Sequence, residues 1–212
     1  MSVSIFGDGF SRWCSAGDEI TATTEDGHIL TARIESDDFH GAPWDESDCH
    51  GEVSEWTSRK KAPGELVLHS DHGNYRYYDF AGACEIARRD GWGARLPDDL
   101  IPPQFSSVYF GTDDARIVAE WWRDRGNEEN AKRCHISKRE IAARAARADF
   151  EFLRKWCTDQ WHYVGIVVTL DDDDEQSLWG IECGDTGYGD CSTYLTKVAG
   201  NLANQLGIVV AQ

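Results

Sequence analysis

Eight side chains able to do chemistry crowd one stretch of the chain: His40, Asp45, Asp48, Cys49 and His50, then His69, Asp71 and His72. Four of the seven histidines fall within these 33 residues. Neutral imidazole and carboxylate are good ligands for zinc and other divalent transition metals. A metal held by His40, Asp48, His50 and His69 or His72 would activate water, with a neighbouring carboxylate as base, and would make the protein a metal-dependent hydrolase. The spacing argues the other way. His40 and His50 lie ten apart on a segment read as a loop, and His69-Ser-Asp-His72 lacks the i, i+4 geometry that grips one ion on a helix. On that reading the cluster is a set of surface and hydrogen-bonding residues, and no cofactor is expected. Cys49-His50 and Cys134-His135 place thiol beside imidazole, but sequence neighbours point apart and thiolate–imidazole pairs are assembled from distant residues. These cysteines read as structural. No Gly-x-Ser-x-Gly, Walker loop or dinucleotide fingerprint is present.

The second set is acidic. Asp171, Asp172, Asp173, Asp174 and Glu175 run consecutively, without the alternating ligands and turn glycine of an EF-hand loop, so they read as a solvated hairpin tip. With Asp37, Asp38, Asp45, Glu46 and Asp48 they form the candidate partner-binding surface. The 212 residues carry 38 acids against 21 Lys and Arg, a formal charge of −17 and a pI near 4.7. That balance excludes ordinary phosphate-neutralising nucleic-acid binding and adhesion to anionic membranes. It suits an acidic decoy, whose carboxylates imitate phosphate charges and occupy a basic protein surface. A third reading is a nucleotide-sequestering protein, with Trp44, Trp56, Tyr75, Tyr77 and Tyr78 stacking on a base while Arg76 and Arg59-Lys60-Lys61 hold phosphates.

The elements that must position these residues read as α+β: a small, mainly antiparallel sheet with three to four helices and a long irregular acidic loop. Ile20–Thr24 and Ile29–Ile34 alternate around Asp26-Gly27, a hairpin signal. Residues 35–65 lack periodicity. Asp79 can cap a helix to Arg89 ended by Gly91, and Thr112 one that passes Trp121-Trp122 to Arg125. Ser137 with Glu140 makes a capping box, followed by an apolar stripe of Ile141, Ala145, Ala148, Phe152 and Trp156. Tyr163–Leu170 reads as a central strand and Leu178–Glu182 as its hairpin partner. A last helix starts near Ser192, with Leu195, Val198, Leu202 and Leu206 inward and Gly207 ending it. The division expected is an acidic lobe over 1–74 and an α+β core over 75–212, within one continuous globular unit. Acid concentrates at the two ends: residues 1–70 hold 14 acids and 5 bases, and 171–212 hold 8 and 1, whereas 137–170 hold 4 and 6. That charge-balanced helix is compatible with a homodimer. Seven scattered cysteines without a Cys-x-x-Cys pair, no visible secretory signal and no apolar run beyond five residues predict reduced thiols in a soluble cytoplasmic protein.

Two stretches carry a resemblance. One runs from Asp37-Asp-Phe-His-Gly-Ala-Pro-Trp-Asp-Glu-Ser-Asp-Cys-His-Gly-Glu-Val-Ser-Glu-Trp56 through Ala62-Pro-Gly-Glu65 to Arg76-Tyr-Tyr-Asp-Phe-Ala81 and Ala87-Arg-Arg-Asp-Gly-Trp92. The other is Ala148-Asp-Phe-Glu-Phe-Leu-Arg-Lys-Trp-Cys157, then Trp161-His-Tyr-Val-Gly-Ile-Val-Val-Thr169 and Ser177-Leu-Trp-Gly-Ile-Glu182. The chain resembles a family of acidic proteins encoded by tailed bacteriophages and prophages over most of 35–92 and 148–206. Ile101–Lys132 lies outside that pattern, as an insertion would. The resemblance implies a bacterial host cytoplasm and an accessory gene, and it supplies no catalytic residues. By analogy with phage accessory proteins of this size and acidity, the partner of an acidic decoy here is a host defence nuclease or complex. The protein is therefore expected to bind a basic protein surface, not nucleic acid directly, and to act as an inhibitor more than as an enzyme.

Overall fold

The computed structural model describes residues 5–47, 49–96, 98–103, 109–110, 112–134, 136–171, 173–186 and 190–207. Asp48 and Asp172 lie outside them, as do Pro97, His135, Gly187 and Gly189. The chain forms two compact units. One is Met1–Ala42 with Lys155–Gln212, and the other is Pro43–Arg154. The boundary expected at 74/75 falls within a strand of the second unit. The fold is α+β with antiparallel strand pairing throughout the described residues.

The first unit is a four-stranded meander, β1 (Glu19–Thr23), β2 (Ile29–Ser36), β7 (Trp161–Leu170) and β8 (Asp174–Gly184), in the order β1-β2-β7-β8. The β1–β2 hairpin turns at Asp26-Gly27, where Gly27 takes φ 86°, as the dipeptide predicts. Alternation sends Leu30, Ala32 and Ile34 of β2 and Val164, Ile166 and Val168 of β7 to one face. There they bury against Leu195, Val198, Ala199, Leu202 and Ala203 of helix α6 (Ser192–Gln205). Phe6, Phe10 and Cys14 of the N-terminal segment complete that core. β8 carries one extra residue against β7, a bulge between Val164 and Ile166, with Gly180 at φ 74°. β8 begins at Asp174 and not at Leu178, so only three residues of sequence separate it from the end of β7 at Leu170.

The second unit contains α1 (Pro43–Glu46), the hairpin β3 (Glu65–Asp71) and β4 (Asn74–Asp79), α2 (Phe80–Asp90), the short pair β5 (Ala94–Arg95) and β6 (Tyr109–Phe110), α3 (Thr112–Asp124), α4 (Glu128–Arg133) and most of α5 (Lys138–Cys157), whose last three residues fall in the first unit. Asp79 caps α2 by accepting from Gly82 N–H, and Gly91 closes it at φ 72°. Ser137 Oγ accepts from Glu140 N–H at the start of α5. The segment read as irregular is pinned beside β4: Ser54 N–H donates to Tyr77 O, Asp79 N–H to Glu52 O, and Thr57 and Tyr75 exchange both backbone bonds. One expectation for α5 is corrected. Its buried residues are Ile141, Ala142, Ala145, Ala146, Phe150, Phe152 and Leu153, while Ala148 is exposed. Ile141, Ala145 and Phe152 face inward as the stripe predicts, and the inner face widens to Ala142, Ala146, Phe150 and Leu153, with Asp149 half-buried beside it. No helix among the described residues is long and apolar enough to cross a membrane.

Glu65 opens β3 paired with Arg59. The Arg59 guanidinium, against an opposing effect of burial and helped by Ala62 N–H, holds the Glu65 carboxyl at about 2. A carboxyl whose folded pKa is depressed stabilises the fold above its ordinary value of 4.5 and loses that contribution as pH falls toward about 2. The stability difference between the native protein and Glu65→Gln should therefore shrink between pH 4.5 and 2 in denaturant titrations. A constant difference across that window would show that the Arg59 contact does not bias folding.

Candidate functional site

Each acidic residue expected to meet a partner has a definite place. Asp38 is exposed and accepts from Ser36 Oγ at 2.8 Å. Asp37 is turned inward, its side chain 5% exposed, and accepts from Gly180 N–H at 2.9 Å and His40 N–H at 3.2 Å. It ties the end of β2 to the β8 bulge and has little carboxylate surface to offer. Asp45 and Glu46 are exposed on α1, in the second unit. Asp171 sits at φ 51° and accepts from Ile29 N–H at 2.7 Å, with His28 Nδ1 at 2.5 Å. Those two contacts, the backbone donor first, hold its carboxyl below the usual range. Asp173, Asp174 and Glu175 are exposed. Asp48 and Asp172 are outside the described residues.

Along β8 the acids belong to a pattern. The register pairs Asp174, Gln176 and Leu178 with Leu170, Val168 and Ile166, and Glu175 and Ser177 with Thr169 and Val167. Trp179 lies over Gly165, where a Cβ would meet its ring at 2.2 Å. Both faces of this terminal strand therefore run acid, polar, large apolar from tip to bulge, and all six side chains are exposed.

The histidines separate. His40 belongs to the first unit, its ring 4.1 Å from that of Tyr163. His72 occupies the β3–β4 turn at φ 44° with Nδ1 2.5 Å from Asp71. His69, on β3, faces the Trp56 ring at 5.3 Å. His50 has the most built surroundings. Its Nδ1 is 2.5 Å from Asp149 Oδ1, and its ring stacks on Phe152 at 5.8 Å and 12°. Asp149 Oδ2 also accepts from Gly51 N–H at 2.8 Å and from the Tyr78 hydroxyl at 2.7 Å. Burial first and the Asp149 charge second push the Tyr78 phenol far up, so it stays a donor. Asp149 thus serves as an acceptor hub that fastens the 50–51 segment and β4 to α5. Cys49 Sγ and Ser47 Oγ contact each other. Among the described residues no three His, Cys, Asp or Glu side chains are arranged to hold a metal ion.

Asp149 was not among the residues singled out from the sequence. The available signal was a carboxylate four residues after Ala145 and three after Ala146, on what proves to be the inner stripe of α5. Several aromatic and basic residues of the nucleotide reading pack on one another. Tyr78 and Tyr77 are buried, and the Arg76 guanidinium lies 5.3 Å from the Trp44 ring and 5.4 Å from that of Trp56. Arg59 is over the Tyr77 ring and paired with Glu65, while Lys61 Nζ donates to Glu65 O. An open cleft of about 430 Å³ beside α2 is lined by charges of both signs, Glu52, Asp79 and Glu85 with Arg88 and Arg89.

No protein-family model, curated protein or solved structure matches this chain.

Proposed function

We propose that the protein is an acidic binding protein that occupies the basic, nucleic-acid-binding surface of another protein. In the setting that the phage resemblance implies, that partner is a host defence nuclease or complex. The supporting observation is how charge divides between the two units. The unit of Met1–Ala42 and Lys155–Gln212 holds 17 acids and 4 bases, net −13, while Pro43–Arg154 holds 21 and 17, net −4. Even if all four cations were paired within the first unit, 13 carboxylates would remain unneutralised.

The imbalance is local as well as global. Between Lys155 and Lys197 the chain has no Lys or Arg, so β7, β8 and the turn joining them carry carboxylates with no cation in their own segment. Like charges held this close lie within the screening length of about 8 Å at physiological salt. They gain most from a partner that brings dense positive charge, and such association is steered and fast at low salt. The exposed Leu178 and Trp179 beside the acids supply apolar contact that pure electrostatics would lack.

The test uses a variant with Asp38→Asn, Asp45→Asn, Glu46→Gln, Asp173→Asn, Asp174→Asn and Glu175→Gln, which keeps size while removing six of the charges. Native protein immobilised on resin should retain a basic nucleic-acid-binding protein from bacterial lysate at low salt and release it to duplex DNA as competitor. The variant should retain at least about tenfold less, since each exposed charge pair contributes about 0.2–1 kcal/mol. Equal retention by the variant, or a captured protein that duplex DNA does not displace, would overturn the proposal.

A further inference from the structure

Three cysteines from distant positions meet at one end of the first unit. Cys183 lies near the end of β8, 1% exposed, and Cys191 is the N-cap residue of α6, half-buried. Their sulfurs are 2.8 Å apart. The Cys191 thiol also lies against Cys14, which is buried in the same core. All three are free thiols. Two non-bonded sulfurs ordinarily stand well beyond the S–S bond length of about 2.05 Å. Here the strand end and the helix cap already hold the pair close enough that bonding requires a movement of less than about 1 Å.

We infer that Cys183 and Cys191 form a thiol–disulfide exchange site, oxidised by low-molecular-weight disulfides of the glutathione class. Cys191 is the entry residue because it is the half-buried member of the pair, whereas Cys183 is 1% exposed. In the first step the Cys191 thiol gives its proton to solvent, and its thiolate attacks one sulfur of oxidised glutathione. A bond forms between Cys191 Sγ and that sulfur, the S–S bond of the oxidant breaks, and one glutathione thiolate leaves. In the second step Cys183 Sγ, losing its proton, attacks Cys191 Sγ and expels the second glutathione thiolate. Two protein thiols are oxidised and one glutathione disulfide is reduced to two thiols, which take up the two protons. Burial raises the Cys183 thiol, so this resolving step is slow and quickens with rising pH. Cys14 is likewise pushed up, to about 12, chiefly by burial and next by Cys191, so what selects Cys183 as the resolving sulfur is its 2.8 Å approach to Cys191.

The bond would staple the end of β8 to the start of α6 across a short loop, which constrains the unfolded chain. The experiment treats the full-length protein with oxidised glutathione, alkylates the remaining thiols under denaturing conditions, and maps peptides by mass spectrometry. Five of the seven cysteines should be alkylated, with one crosslinked peptide pair joining Cys183 to Cys191 in the monomer. The melting midpoint of the oxidised protein should rise by about 5 °C and return on reduction. Cys183→Ala should stop at a glutathione adduct on Cys191, and Cys191→Ser should leave Cys183 alkylatable only after unfolding. A crosslink from Cys191 to Cys14, or adducts confined to the exposed Cys49 with Cys183 and Cys191 both alkylated, would overturn the assignment.

Discussion

Replacing Asp149 with Ala should cost about 3 kcal/mol of stability and lower the melting midpoint by about 6–12 °C. The size follows from what the carboxylate holds. Three donors converge on it, His50 Nδ1–H, Gly51 N–H and the Tyr78 hydroxyl. Gly51 is buried and Tyr78 is fully buried, so water cannot replace the lost acceptor. The Tyr78 hydroxyl retains Ala146 O at 3.2 Å, which limits the loss at that group. Orphaning a buried donor costs about 1–3 kcal/mol, more when the missing partner was charged. Asp149→Asn keeps the volume and one carbonyl acceptor, so it should lose about half as much. His50→Ala removes only the most exposed of the three donors and should lose least. This ranking, measured by denaturant unfolding, separates an anchoring role from a catalytic one. If Asp149→Asn proved as stable as the native protein, the hub would not hold α5 to β4, and the pair would need another explanation.

How much of this could be read without the structure depends on the distance over which each signal acts. Local signals transferred well. Asp26-Gly27 marks the β1–β2 turn, Asp79 and Gly91 bracket α2, and Ser137 starts α5, because each works through backbone groups a few residues away. The β3–β4 hairpin was not assigned because its turn is His72-Gly73, both at positive φ, and histidine is an uncommon first residue for that geometry. Its strands also mix His, Asp and Arg among the tyrosines, so no clean alternation appears. Along α5 only Ala148 of the expected stripe is exposed, because Ala148 and Ala145 look alike to an apolar pattern. Only packing shows that Ala148 faces solvent. The Asp149 hub and the Cys183–Cys191 contact are the least legible, for different reasons. The first joins residues 98 and 99 apart, and the second joins two residues only eight apart whose approach depends on where β8 ends and α6 begins. The acidic surface lies between these cases. Charge counts locate acid in the sequence, but only the fold shows that Asp37 is turned inward while Asp174 and Glu175 are exposed on a terminal strand.

The other large effect lies at Gly184. Gly184→Ala should remove more than about 3 kcal/mol and loosen the first unit selectively. The residue closes the open end of the β7–β8 ladder opposite Trp161, at φ 114°, a backbone conformation open essentially to glycine alone. A methyl group there would stand 2.6 Å from Gln160 O and 2.9 Å from Trp161 Cα. These are backbone atoms that cannot swing aside as a side-chain end can. Relief requires the two strands to part where Trp161 is fully buried and where Asp185 N–H donates to Gln160 O at 2.8 Å. Gly27→Ala is the matched control. It too imposes an alanine at positive φ, but no atom lies within 4 Å of the added carbon, so only the conformational cost of about 1 kcal/mol applies. Hydrogen exchange reads the difference by location. In Gly184→Ala the amides of β7 and β8 should lose protection while those of β3 and β4 keep theirs, because the two hairpins belong to different compact units. Equal loss in both hairpins would mean that the units unfold as one. A Gly184→Ala protein as stable as Gly27→Ala would mean that the strand ends separate at little cost, and the neighbouring Cys183 would then not be held firmly against Cys191.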